Sequence, residues 1–287
     1  MKVSIIIPHF NQYKKLFRLL DSIPQSEKFE IIVIDDYSNN LKKEEFEFLV
    51  NNERIVFVRN KENKGAGYCR NIGIEMSTGD YLIFSDSDDY FITENLSCIL
   101  EELKFNKSDI IFFPPIGKTE FQTRKVKRGR KSSSYITKHT LKPSLKSEVY
   151  LRYQMHVPWS KIYRKKFIME NGIRFDEIKV SNDVMFTTKA GFHANEISTI
   201  NKSIYVSVKT KNSLTTIKDK KTNDIRLKTY LIYLTYVKEK LSKKERKYFK
   251  FSGLKYVYRM FINDKSVKTI FKAISNLKKA KIGLFVL

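Results

Sequence analysis

Cysteine is nearly absent from this chain: Cys69 and Cys98 are the only two in 287 residues. Two thiols build no disulfide framework, and their separation fits no metal-ligand spacing. They are expected to be reduced and mostly buried, as in a cytosolic protein. Long apolar runs are missing as well, since no stretch approaches the ~18 uninterrupted apolar residues of a membrane span. The opening MKVSIIIPHFNQ holds a charge and an apolar stretch too short for a signal peptide, with no small-residue cleavage site. A cytoplasmic location is therefore expected. Internal repeats and low-complexity segments are absent. So are a Walker A sequence, a serine elbow and a paired-histidine zinc motif. A dinucleotide fingerprint fails because GAGYCR puts Arg70 where the third glycine belongs.

Acidic residues are scarce in one part only. Residues 1–110 hold 14 Lys or Arg against 19 Asp or Glu, whereas 111–287 hold 41 against 12. An acidic first part thus carries a very basic second part. That asymmetry suggests an anionic partner: nucleic acid, a phosphorylated substrate or an anionic membrane.

What is present fits a folded globular protein with a sizeable core, with 41% hydrophobic and 13% aromatic residues. VSIII (3–7), EIIVIDD (30–36), IVFVRN (55–60) and YLIFS (81–85) read as buried strands. QYKKLFRLLDSI (12–23), EEFEFLV (44–50) and AGYCRNIGIEMS (66–77) read as the helices between them. Such alternation predicts an α/β fold with a mostly parallel central sheet flanked by helices. Ligands on such sheets bind beyond the carboxyl ends of the strands. Asn11, Asp35, Asp36, Asp86 and Asp88 all fall at those ends.

Segment 117–147 is basic, serine-rich and poor in apolar periodicity, and is expected to be a mobile loop beside the site. Residues 217–287 read as a cationic helical region. Ser242 and Glu245 form a capping box there, followed by apolar positions 251, 254, 257/258 and 261 and then 267, 270/271, 274 and 277.

The run YLIFSDSDDYF (81–91) sends Asp86, Asp88 and Asp89 past the end of a buried strand. Alternation lets Asp86 and Asp88 face the same way, where their repulsion demands a positive partner. An EF-hand loop from Asp86 would need glycine at position 91 and glutamate at 97, and the chain has Phe91 and Ser97. A hard divalent cation, Mg²⁺ or Mn²⁺, completed by substrate phosphates fits the carboxylates. A phosphatase with an aspartyl nucleophile stays open on these residues alone.

VSIIIPHFNQ, EIIVIDDYS, NKGAGYCRNIGIEMSTGDYLIFSDSDD and WSKIYRKKFIMENGIRFDE occur in the order seen in family 2 glycosyltransferases. The resemblance covers roughly residues 1–216 and implies a GT-A catalytic domain, with 1–110 as its nucleotide-binding half and 111–216 as its acceptor side. It implies inverting transfer of a sugar, of hexosyltransferase type, from a nucleotide-diphosphate donor, commonly UDP-linked, with a divalent metal. Members with this DxDD form resemble enzymes of bacterial surface polysaccharide synthesis, whose acceptors are glycans or polyprenyl-pyrophosphate-linked. Matched position by position, the family pattern puts Pro8, Phe10, Asn11, Asp35 and Asp36 around the base and ribose. It puts Lys64, Gly67, Arg70, Asn71, Asp86 and Ser87 along the nucleotide, and Asp88 with Asp86 on the metal. Asp183 stands where the family has its general base, with Trp159 and Lys161 upstream on the acceptor side. Asn182 replaces the usual Glu.

A basic nucleic-acid-binding protein is the rival reading, disfavoured because most aromatics sit at core-facing helical positions and Lys outnumbers Arg. A nucleotidyltransferase or phosphatase on a similar sheet is the other. The basic amphipathic helices are expected to touch an anionic membrane surface, giving a peripheral location on the inner face of the cytoplasmic membrane.

Overall fold

The computed structural model describes residues 1–120, 129–209, 219–249 and 253–284. Residues 121–128 of the predicted basic loop, and residues 210–218, 250–252 and 285–287, lie outside the described residues. β1 (Val3–His9) and β2 (Phe29–Asp35) are buried along their whole length, as their Ile- and Val-rich runs require. β1 pairs in parallel with β2 and with β4 (Tyr81–Phe84), and β2 with β3 (Ile55–Arg59). β8 (Lys161–Arg164) then joins β4 and β6 (Ile110–Phe112) antiparallel, and β6 pairs with β9 (Ile197–Thr199). The result is a seven-stranded sheet in the order β3-β2-β1-β4-β8-β6-β9. A second sheet ties β5 (Tyr90–Phe91) to β10 (Tyr205–Lys209) and β7 (Ile116–Thr119).

Strand alternation splits the core into two layers. Ile5, Ile7, Ile31 and Val33 point to one side, where α1 (Tyr13–Asp21), α2 (Lys43–Asn51) and α4 (Thr93–Phe105) supply Leu16, Leu49 and Leu96. Ile6, Ile32 and Ile34 point to the other, against α3 (Ala66–Met76), α7 (Lys165–Glu170) and α8 (Asn182–His193). Each such side chain contributes ~1.5–3 kcal/mol on burial. With both faces covered, the strand ends at His9, Asp35 and Phe84 are what the sheet offers to a ligand.

The expectation of a loop over 117–147 is corrected. β7 opens that segment, and α5 (Arg130–Leu141) with α6 (Leu145–Tyr153) closes it. α5 escapes a periodicity count because it buries only Ile136 and His139 and is held by Tyr135 stacked on Tyr150 at 3.9 Å. The Ser144 hydroxyl caps α6 by accepting the Ser147 N–H.

The C-terminal region consists of α9 (Lys220–Lys240), α10 (Lys243–Arg246), α11 (Gly253–Asp264) and α12 (Val267–Lys279). Its capping box is present, with Ser242 and Glu245 exchanging N–H bonds. It caps one turn, not a long helix, because the chain beyond docks on α6: Gln154 donates to the Tyr248 carbonyl, and Phe249 is buried near Tyr153. The apolar stripe also differs from the sequence reading. α11 buries Tyr256, Val257 and Met260, while Leu254, Tyr258 and Phe261 are exposed. α12 buries Ala273 and Leu277, while Val267 and Phe271 are exposed. The region shares one apolar cluster with Val149, Tyr153 and Met185 of the preceding helices. Among the described residues no helix is long and apolar enough to cross a membrane.

Candidate active site

Asp86, Asp88 and Asp89 follow β4 directly, and each offers a carboxylate oxygen within 4.8 Å of the others. Asp89 is fully buried, accepting the Tyr205 hydroxyl at 2.7 Å and the Val208 N–H at 2.6 Å. Burial, and then the charges of Asp86 and Asp88, hold its carboxyl well above the usual carboxylate range. Asp89 is thereby committed to β10. Asp86 and Asp88 are half-buried and remain at the strand end.

The Asp86 charge has a partner within the chain. Arg70 donates to Asp86 Oδ1 at 2.7 Å and to Asn182 Oδ1 at 2.9 Å, and its guanidinium lies 5.2 Å over the Phe175 ring. Asn182 therefore bridges α8 to α3. A glutamate there would compete with Asp86 for the same guanidinium; the neutral amide does not.

Asp183 occupies the first turn of α8, not its cap, which is Ser181. Burial pushes its carboxyl up to about 6, against the opposing pull of Arg70. A carboxylate titrating near neutrality suits a general base.

Tyr205 organises the cluster from behind. Its hydroxyl donates to Asp89 and accepts the Asp86 backbone N–H at 3.0 Å, and Ser85 Oγ lies 3.3 Å away. Trp159, a buried indole, stacks on its ring at 5.3 Å and so supports the aspartates from behind. Lys161 is also buried, and its ammonium donates to the carbonyls of Met155 and Val157, bracing the turn before β8. Burial lowers its pKa to about 7.

The other strand ends are also braced internally. Asp36 accepts the N–H groups of Lys64 at 2.8 Å and Gly65 at 2.7 Å, and the Asn60 amide at 2.9 Å. It fixes the loop entering α3, where Gly65 has φ 88, a left-handed value that favours glycine. Asp35 is buried between Arg59, at 3.3 Å, and Ser38. Both carboxylates thus brace the loops beyond the strand ends. Asn71 clamps the Phe175 backbone through both ends of its amide, and a Cβ on Gly67 would stand 2.2 Å from the Asp176 carbonyl. Those two positions serve helix–loop packing. Pro8 and Ser87 are buried. Asn11, at φ 55, uses its side-chain oxygen on the Asn39 N–H. Lys64 is exposed and pairs with Glu62 at 3.2 Å.

Phe10 and Tyr37 are the exposed rings at this edge, with the Arg59 guanidinium 5.8 Å over Tyr37. Tyr37 was not singled out in the sequence, although it directly follows the two strand-end aspartates. His9 was missed too. Burial lowers its pKa to about 4, so it is a neutral ring beneath the pocket.

Residues 4–171 match the family model described as glycosyl transferase family 2. The chain belongs to that family. Its strand order displays the GT-A fold. Among curated proteins it is similar to the poly(ribitol-phosphate) β-N-acetylglucosaminyltransferase TarS of Staphylococcus aureus, 28% identical over 211 residues. That alignment covers 71% of this chain and 35% of TarS. It is also similar to TarP of the same organism, 32% identical over 195 residues, covering 65% of this chain and 56% of TarP. The chain thus spans about a third to a half of the length of these relatives. A crystal structure of TarS 1–349 in complex with UDP-GlcNAc superposes with TM-score 0.71 at 23% identity, covering 98% of this chain and 80% of that one. A Pyrobaculum calidifontis mannosyltransferase in complex with GDP-Man and Mn²⁺ has TM-score 0.61 at 14% identity, with 97% and 75% covered.

Proposed function

We propose that this glycosyltransferase moves a sugar, with inversion, from a UDP-linked donor to a glycan or polyprenyl-pyrophosphate-linked acceptor of bacterial surface polysaccharide synthesis. The observation that carries the reading is the joint placement of Asp86 and Asp88 at one strand end and Asp183 at the start of α8, linked through Arg70 and Asn182. The hard oxygens of Asp86 and Asp88 fit Mg²⁺ or Mn²⁺, and Asp89 is excluded as a free ligand by its two bonds to β10. When bound, the cation would supply Lewis-acid neutralisation of the departing nucleotide diphosphate. Arg70 sets the Asp86 carboxylate. The exposed faces of Phe10 and Tyr37 suit a base ring, and the Asp36-braced loop lines the nucleotide. Asp183 takes the proton of the acceptor hydroxyl as that oxygen attacks the anomeric carbon opposite the leaving group.

The TarS and TarP likenesses favour UDP over GDP, since one such structure holds UDP-GlcNAc. A lipid-linked acceptor would place the protein at the inner face of the cytoplasmic membrane. Thermal shift with UDP-, GDP- and dTDP-sugars, with and without Mn²⁺, tests the donor reading. Stabilisation by UDP compounds only when Mn²⁺ is present is expected. Equal stabilisation without any divalent cation, or by GDP compounds alone, would overturn it.

A further inference from the structure

The hairpin of α11 and α12 carries apolar residues on two sides, and among the described residues only one is used inside the protein. Tyr256 stacks on Tyr230 of α9 at 6.5 Å, and the Arg259 guanidinium lies 5.1 Å over the same ring. Asn276, Lys279 and Ala280 of α12 line a groove with Leu231, Ile232 and Thr235 of α9. These contacts fix which side of each helix meets α9. The helices meet each other where Asn276 donates to the Tyr256 hydroxyl at 3.0 Å.

Helical spacing then turns Leu254, Tyr258, Phe261 and Ile262 of α11 away from α9. On α12, Val267 and Phe271 do the same, with half-buried Ile270 and Ile274 continuing that side toward the buried stripe. Tyr258 is 62% exposed, Val267 65% and Phe271 69%. Single exposed apolar residues are ordinary, but six on two helices joined by Lys265 and Ser266 make a continuous patch of the kind that docks on something.

Charge decides what. Residues 253–279 hold seven Lys or Arg against one Asp, and Lys265 and Lys268 are exposed on either side of Val267 in the chain. A second copy would oppose like charge to like charge across the same face. A surface with an anionic layer over an apolar interior matches both features. We infer that the outer face of the α11–α12 hairpin docks on an anionic lipid bilayer, with the rings of Tyr258, Phe261 and Phe271 at the headgroup boundary and the lysines on the lipid phosphates. This rests on the proposed lipid-linked acceptor for its purpose, because docking there would hold the catalytic domain beside such a substrate.

The test is co-sedimentation of the full chain with phosphatidylglycerol–phosphatidylcholine vesicles and with phosphatidylcholine alone. Binding to the anionic vesicles, reversed by salt, is expected. The pair Ile262→Ser and Phe271→Ser should lower the partition coefficient by about tenfold. Lys265→Gln with Lys268→Gln should remove the preference for anionic lipid. Mn²⁺-dependent UDP binding, measured by calorimetry on the same samples, should be unchanged, so loss of vesicle binding is told apart from failure of the donor reading. Equal binding to both vesicle types overturns the inference, as does a serine pair that still binds. A dimer in sedimentation equilibrium that the serine pair dissolves would assign the face to a second copy instead.

Discussion

The nucleotide-binding half and the C-terminal helices treat charge in opposite ways. In the first, several carboxylates go inward and are tied down. Glu30 is buried at the far edge of the sheet, where burial raises its carboxyl and bonds from Ser4, Thr78 and Lys2 outweigh it, bringing it to about 2. Asp35, Asp36 and Asp89 are likewise buried and bonded. In the C-terminal region lysines such as Lys265, Lys268 and Lys272 stand in solvent. These buried acidic residues build a frame around the strand ends, and Asp86 and Asp88, half-buried at its rim, are the ones proposed for ligand chemistry. The basic region builds a surface. Variants at the frame should change donor affinity and rate, and variants at the basic surface should leave donor affinity unchanged.

Asp183→Asn should have the largest effect. It keeps size and helix position but cannot take a proton, so turnover should fall ~10²–10⁴-fold with donor affinity retained. Calorimetry with UDP-sugar beside an acceptor assay reads both, and near-normal turnover would move the base elsewhere. The raised carboxyl sets the pH dependence. Below about 6 Asp183 is protonated and inactive as a base, so kcat/KM for the acceptor should climb as pH rises through that value. The same shift makes ionisation of Asp183 cost stability as pH rises from its ordinary range to about 6. A flat profile from pH 5 to 8 contradicts the assignment.

Asp88→Ala should come next, failing first in donor binding. A drop of tenfold or more in Mn²⁺-dependent UDP affinity, ~1.4 kcal/mol or more, is expected with an unchanged melting temperature, because the residue lies beyond the strand end. Retained tight binding that still requires Mn²⁺ would remove Asp88 from the ligand set.

Much of this was legible in the sequence, for a physical reason. The strands of the parallel half are buried on both faces, so each is a continuous Ile/Val run bounded by polar strand ends. The four runs give β1 to β4 almost to the residue. Asp86, Asp88 and Asp183 followed from spacing and family order. What stayed hidden depends on contacts distant in the chain. Arg70 meets Asp86 and Asn182 across 16 and 112 positions, and Tyr205 meets Asp89 across 116. No periodicity encodes such pairs. Lys161 and Trp159 were matched correctly in order but face inward, which only packing decides. On α11 aromatics lie all around the helix, so the buried stripe could not be told from the exposed one.

Asn182→Glu sharpens the contrast between tied and free carboxylates at smaller cost. A second carboxylate on Arg70 would loosen its hold on Asp86 and raise the Asp183 pKa by like-charge repulsion. The rising limb of the acceptor profile should move to higher pH, with only a few-fold loss of donor affinity. A limb that stays in place would show that position 182 does not act on Asp183.

Tyr205→Phe should have the smallest effect and is the closest test of the frame. The change removes one hydroxyl while keeping the ring between Trp159 and Phe91, at 5.3 Å from each. Asp89 Oδ2 loses its donor, and the Asp86 backbone N–H loses its acceptor. A buried group left without its partner costs ~1–3 kcal/mol, which should appear as a lower melting temperature. Structural damage alone would stop there. If Tyr205 aims the aspartates, Mn²⁺-dependent UDP affinity should also fall several-fold, while UDP binding without the cation should not move. An equal loss in both would mean the hydroxyl only stabilises the fold. An unchanged affinity would mean that Asp86 and Asp88 hold their positions through β4 and Arg70 alone.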